Sequence, residues 1–204
     1  MSTGETQDLD IYFDPKFAEV LETWGIDNTW REIQILLAGR KGRVLDVACG
    51  TGRTWDFLRD SRGLKYYGCD ISDLLIDRAI KRGIPKRRLR VMDATRLDYR
   101  ERSFEFVFSI GSLEHFTVDG IKGTLLACKR VSRFLNLHMV PVSASGKDEG
   151  WLTPYQSFWN NSQQWWLDMV REIFPEAWVM ESKWKDDQSR GIWLICSDSA
   201  QTLR

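Results

Sequence analysis

The chain has 204 residues, enough for one domain with a sizeable core. Its 29 Lys and Arg balance 29 Asp and Glu, and a net charge of zero removes the global electrostatic case for a nucleic-acid partner. No run approaches the ~18 consecutive apolar residues of a membrane span. The start, MSTGETQDLD, lacks the charged head and apolar middle of a secretory signal. Cys49, Cys69, Cys128 and Cys196 are scattered without a C-x-x-C, so reduced thiols, a cytoplasmic setting and no zinc site are expected. Ten tryptophans are the compositional outlier, and seven of them lie between Trp151 and Trp193. Trp is demanding to place, because its ring is large and its N–H needs a partner.

In chain order, Asp14-Pro15 starts a helix, with Asp14 as cap and Pro15 in the first turn. Phe17, Val20, Leu21 and Trp24 recur at helical spacing, and Gly25 stops the helix. A second helix starts near Asp27-Asn28, carries Trp30, Ile33 and Leu37, and ends at Gly39. Both precede the first strand and are expected over its mouth, where Tyr12 and Trp30 either touch a ligand or fill core. The first strand, Arg43 to Val47, runs into the small-residue turn Ala48-Cys49-Gly50-Thr51-Gly52 and an amphipathic stretch from Thr54 to Asp60.

This strand–turn–helix organises the chain. Glycines there let the backbone approach a ligand that a Cβ would exclude, and a helix start supplies unpaired N–H groups. A dinucleotide fingerprint needs G-x-G-x-x-G, but the third position is Trp55, whose indole would block close helix–strand packing. The turn therefore reads as nucleoside-binding without a pyrophosphate.

Tyr66 to Asp70 forms a second strand, followed by a Ser72-capped helix carrying Leu74, Leu75 and Ala79 that stops at Gly83 and Pro85. Lys81 to Arg90 is a basic run, read as a solvated loop or an anion contact. Leu89 to Met92 is a third strand ending at Asp93, and the nearly all-apolar Phe104 to Ile110 a fourth. A helix over Val118 to Arg130 and a fifth strand over Leu135 to Val142 follow. Alternating strand and helix predicts a parallel sheet with helices on both faces. Asp46, Asp70, Asp93 and Ser109 would then converge outside the carboxyl ends of the strands, where such sheets bind ligands. Gly150 to Trp159 reads as a loop, Gln163 to Phe174 as a helix, and Ala177 to Lys183 with Gly191 to Ser197 as an antiparallel pair at the sheet edge.

The segments VLDVACGTG, YYGCDIS, VMDAT and SFEFVFSIGSLEHF, in this order, resemble the class I S-adenosylmethionine-dependent methyltransferases over roughly residues 43–140. The resemblance implies a Rossmann-like seven-stranded, mostly parallel sheet whose last strand is antiparallel. It implies S-adenosylmethionine as cofactor, with the methionine end on the turn formed by Asp46, Ala48, Cys49, Gly50 and Gly52. Asp70 would hold the ribose, Asp93 the adenine amino group, and Ile71, Ala94 and Ile110 the rest of the nucleoside pocket. Ala48 stands where the family often has glycine. The organisation expected is one domain over 1–204: a helical cap over 1–40, a cofactor-binding core over 41–142, and an acceptor side over 143–204.

Methyl transfer is an in-line displacement in which the protein mainly positions the acceptor, and a hydroxyl acceptor benefits from a general base. His115, in the loop after the fourth strand, is the candidate base, or else a structural residue bonded to backbone. Glu114 would orient it, contact substrate, or cap a helix. His138 in the fifth strand is a substrate contact or a buried core histidine. Some quinone-precursor O-methyltransferases of this family carry E-x-x-E-H at this loop and use a divalent metal; here Gly111 replaces the first Glu, so no metal is expected. Asp148 and Trp151, with Tyr155 and Trp159, lie in a stretch that forms the acceptor pocket in the family. That mix suits a sugar ring, so a sugar or glycan hydroxyl is the expected acceptor. A phenol, an amine or RNA, or a non-catalytic cofactor-binding role, are the alternatives.

Overall fold

The computed structural model describes residues 6–24 and 29–197. Gly25 and Asp27-Asn28, where the sequence ends one helix and begins the next, lie outside them. Helix α1 spans Pro15–Thr23 and α2 Thr29–Leu36. The Asp14 carboxylate accepts from the Lys16 N–H at 2.8 Å, and Pro15 loses no hydrogen bond in the first turn.

A seven-stranded sheet follows. Its strands are β1 (Gly42–Val47), β2 (Leu64–Asp70), β3 (Leu89–Val91), β4 (Phe104–Ile110), β5 (Ser132–Ser143), β8 (Trp178–Lys185) and β9 (Ser189–Ser197), in the order β3-β2-β1-β4-β5-β9-β8. The first five run parallel, and β9 is antiparallel to both neighbours. This is the Rossmann-like arrangement expected. Helices α4 (Asp73–Lys81) and α5 (Val118–Val131) start from the side-chain caps Ser72 and Thr117. Val107 and Phe108, on opposite faces of β4, are both fully buried, and each fully buried large apolar side chain contributes about 1.5–3 kcal/mol. The strand order reverses between β1 and β4, which places the crevice above their carboxyl ends.

Three local expectations change. The helix expected from Thr54 to Asp60 is a single turn, α3 (Trp55–Leu58). The last helix, α6 (Gln163–Arg171), ends before Phe174, because a residue preceding proline is pushed out of the helical region. The segment read as a loop holds a small hairpin, β6 (Trp151–Leu152) with β7 (Phe158–Trp159), joined by the cross-strand Trp151–Trp159 pair at 5.3 Å. The final two strands form the expected antiparallel pair at the sheet edge, with β9 between β5 and the outermost β8. Ile192 to Cys196 is apolar on both faces and at most 4% exposed, whereas β8 has exposed residues throughout, as an edge strand tolerates. Among the described residues no helix is long and apolar enough to cross a membrane.

Candidate active site

The turn after β1 leaves ordinary backbone geometry three times. Ala48, Gly50 and Gly52 have φ of 56°, 53° and 76°. The two glycines do different work. A Cβ on Gly52 would lie 2.5 Å from Ile84 Cδ1, so this glycine allows the turn to pack on α4 and its following loop. Gly50 instead faces the crevice, and its N–H donates to Asp70 Oδ2 at 2.8 Å. Asp70 Oδ1 accepts from the Ser72 N–H at 3.0 Å. One carboxylate thus ties the turn to the start of α4, and each of its oxygens keeps a lone pair for a ligand. Burial raises the Asp70 pKa from its ordinary value, against the backbone N–H groups it accepts from. Asp46 is buried below the turn, accepts from the Tyr66 hydroxyl at 2.8 Å, and is pushed up to about 7 by that burial.

Above the switch point is a cavity of about 460 Å³, within the usual range of small-ligand sites. Ala48, Cys49, Gly50, Asp70, Ile71, Asp93, Ala94 and Ile110 line it. Asp46 and Gly52 support the turn from outside the cavity. Asp93 uses Oδ1 to accept from the N–H and hydroxyl of Thr95, both at 2.8 Å, which starts the turn Ala94–Arg96. A glycine edge without a Cβ, a buried acid and a second acid one strand further out fit a nucleoside with a charged tail, as S-adenosylmethionine requires.

The roof comes from the chain's two ends. Tyr12, Phe17, Trp24 and Trp30 line the cavity from the N-terminal side, and Trp184, Asp186 and Ser189 from the turn between β8 and β9. Tyr12 and Trp30 therefore face the cavity, although Trp30 is only 8% exposed and also packs in the core. Trp24 packs edge-on against Trp30 at 5.8 Å and, with its ring tilted by 42°, against Trp184 at 5.6 Å. Gly111, at φ 60°, lies under this ring: a Cβ there would be 2.6 Å from Trp24 Cη2. A glutamate at 111 has no room beneath the tryptophan. Among the described residues no group of three or more His, Cys, Asp or Glu could hold a metal ion.

His115 and Glu114 sit side by side in the turn after β4 and both line the cavity. His115 Nδ1 is 2.7 Å from the Ser157 carbonyl, which can only accept, so Nδ1 carries the proton and Nε2 keeps its lone pair. Nε2 is 3.7 Å from Glu114 Oε1. Burial lowers the His115 pKa to about 4, against the Ser157 bond, and raises that of Glu114 to about 8. Glu114 is 3% exposed, and its Oε2 has no hydrogen-bond partner.

The other expected substrate contacts are not brought to this cavity. His138 lies inside the sheet, fully buried, with Nδ1 2.8 Å from Ser109 Oγ; burial holds it neutral, at about 3. Asp148 accepts from the Ser162 N–H at 2.9 Å, on the far side of the hairpin. Trp151 meets Trp159 edge-on, and Trp159 continues to Trp165 and the fully buried Trp166, a run of rings packed on the core. The stretch folds back on itself: Glu149 accepts from Ser143, Ser145 and Asn160, which leaves Pro154, Tyr155, Gln156 and Phe158 at the cavity.

Arg82 is a residue that reading the sequence misplaces. It belongs to the basic run, but its Nε donates to the Thr51 carbonyl at 2.9 Å, Nη1 to Asp56 at 2.7 Å, and Nη2 to Glu22. It clamps the glycine turn, α3 and α1 together. Lys41, Arg62, Lys65, Lys86, Arg87, Arg100 and Arg102 are exposed near the amino ends of β1 to β4, opposite the crevice.

The family described as "Methyltransferase domain" matches residues 44–133. Probable tRNA methyltransferase 9B of Mus musculus is 29% identical over 108 residues, 52% of this chain and 22% of that protein. The Homo sapiens protein of the same name is 28% identical over the same length and coverage. The chain thus spans about a fifth of the length of the curated relatives it matches. These names weigh against excluding nucleic acid on net charge alone. Among solved structures, Burkholderia thailandensis 1,6-didemethyltoxoflavin-N1-methyltransferase, which holds S-adenosylhomocysteine, aligns with a TM-score of 0.69 at 15% identity, covering 89% of this chain and 84% of that one. An S-adenosylmethionine-dependent methyltransferase from Thermotoga maritima aligns at 0.66 and 17% identity, over 92% and 98%. Residues 44–133 thus match a methyltransferase-domain family, and the strand order, the glycine turn and its facing acids give the chain the fold of the S-adenosylmethionine-dependent methyltransferases it resembles.

Proposed function

We propose that this chain transfers a methyl group from S-adenosylmethionine to a heteroatom of a small acceptor held in the cavity, with His115 as the base. The carrying observation is the His115 tautomer. Ser157 holds the proton on Nδ1, so the Nε2 lone pair stands at the cavity wall, and burial keeps it unprotonated at neutral pH. The cofactor supplies an electrophilic methyl group. Asp70 would hold its ribose, Asp93 its adenine amino group, and the turn at Ala48 to Gly50 its methionine end. The roof around Trp24 and Trp184 excludes water and limits the acceptor's size.

A sugar or glycan hydroxyl draws support from Tyr155, 64% exposed at the cavity, but not from Asp148 or Trp151, which stand elsewhere. RNA is a second reading, favoured by the name of the tRNA methyltransferase relatives.

The test is mass spectrometry of methyl gain on a panel of amines, phenols, sugars and tRNA, alongside calorimetric titration with the cofactor. His115→Ala should lower the rate roughly 100-fold or more and leave cofactor affinity unchanged. An unchanged rate would remove the base. Cofactor binding without methyl gain on any acceptor would leave a binding module.

A further inference from the structure

We propose that the acceptor is an amine, bound as its ammonium against Glu114 between the aromatic walls of the cavity. This rests on the transferase reading and goes beyond it by naming the acceptor class. The first observation is charge. Among the described residues, the cavity is lined by the carboxylates of Asp70, Asp93, Glu114 and Asp186 and by one cationic side chain, Arg53. Arg53 is already paired, 3.4 Å from Asp56 and 3.8 Å from Glu22. Asp70 and Asp93 stand where the nucleoside belongs, and Asp186 accepts from the Gln188 and Ser189 N–H groups. Glu114 is left without a cation.

The second observation is independent of the first. Glu114 is 97% removed from solvent and Oε2 has no partner, an arrangement that costs free energy unless a ligand completes it. The third is the wall. Tyr12, Trp24, Trp30 and Trp184 present aromatic surface to the same cavity, and ring faces attract a desolvated cation. A neutral sugar could hydrogen-bond the unpaired acid but would bring no counter-charge, and it would face walls that are mostly apolar.

The chemistry balances. Glu114, protonated in the empty cavity, releases its proton to solvent as the ammonium binds; the ammonium then gives one N–H proton to His115 Nε2, and the imidazolium formed sits 3.7 Å from the Glu114 carboxylate, which carries the compensating charge. The freed nitrogen lone pair forms the new N–C bond as the methyl C–S bond breaks, and sulfur keeps the bonding pair. The positive charge lost from sulfur appears on the methylated nitrogen.

The experiment compares phenethylamine with phenethyl alcohol, its neutral counterpart, on the whole chain with and without S-adenosylhomocysteine, by calorimetry and quenching of tryptophan fluorescence. The amine should bind at least tenfold tighter. Glu114→Gln should weaken the amine at least tenfold, change the alcohol less than twofold, and leave S-adenosylhomocysteine affinity intact, which shows that the variant is folded. A preference below tenfold, a preference that survives Glu114→Gln, or no binding of either compound would overturn the proposal. Methyl gain is read separately by mass spectrometry. Gain on the alcohol's oxygen above the amine overturns the amine and leaves the transferase; tight amine binding with no gain on any acceptor of the wider panel overturns the transferase and leaves the cation site.

Discussion

Removing the titrating group at 114 should change how stability depends on pH. The Glu114 carboxyl is raised from 4.5 to about 8 by burial beside a neutral His115. Between those values the folded chain holds a proton that the unfolded chain has released. Stability therefore falls as pH rises through this window and levels off above the folded value. The full shift of about 3.5 units is worth about 5 kcal/mol, and about 4 kcal/mol of that lies between pH 5 and pH 9. Glu114→Gln keeps the shape and removes the proton. Guanidinium unfolding at pH 5, 7 and 9 should show the wild type losing about 4 kcal/mol relative to the variant, roughly 10 °C in Tm for a chain of this size. Asp46 contributes in the same direction in both proteins and cancels in the difference. Stability curves that stay parallel from pH 5 to 9 would refute the argument, because they would mean an ionised Glu114 already paired with a protonated His115.

Two further substitutions probe the turn and the roof. Ala48→Gly should stabilise the chain by about 0.5 kcal/mol, since relief of a left-handed alanine at φ 56° slightly exceeds the entropy a glycine adds to the unfolded state; a lower denaturation midpoint would contradict this. Gly111→Ala should cost about 2–4 kcal/mol, from a left-handed backbone and a Cβ 2.6 Å from Trp24, and should shift tryptophan emission as the ring moves. Because Trp24 occupies the space above residue 111, activity should survive chelation, measured as methyl gain with and without EDTA; a strict requirement for added magnesium would place a metal where these residues do not gather one.

Periodicity and punctuation made the parallel core legible in the sequence. Apolar runs ending in Asp46, Asp70 and Asp93, separated by capped amphipathic helices, have one economical arrangement, because strands joined through crossover helices pair in parallel and are covered on both faces by those helices. The convergence of Asp70, Asp93 and the glycine turn on one crevice followed from that, since strand ends and the turn between them are local features. The division of labour between Gly50 and Gly52 did not: it depends on whether Ile84 at 2.5 Å or the cavity-lining Leu21 at 3.2 Å lies beyond the missing Cβ, which only the packed molecule decides. The same holds for Arg82, whose partners Glu22, Thr51 and Asp56 are 60, 31 and 26 residues away in sequence. The acceptor side was the least legible. Seven late tryptophans carry identical chemistry, yet Trp184 faces the cavity while Trp166 and Trp193 are fully buried. Composition decides that such rings must be covered; long-range packing decides whether protein or ligand covers them. His115 was visible as a titratable residue after β4, but its tautomer is set by a carbonyl 42 residues further on, and the charge state of Glu114 by burial that no local pattern encodes.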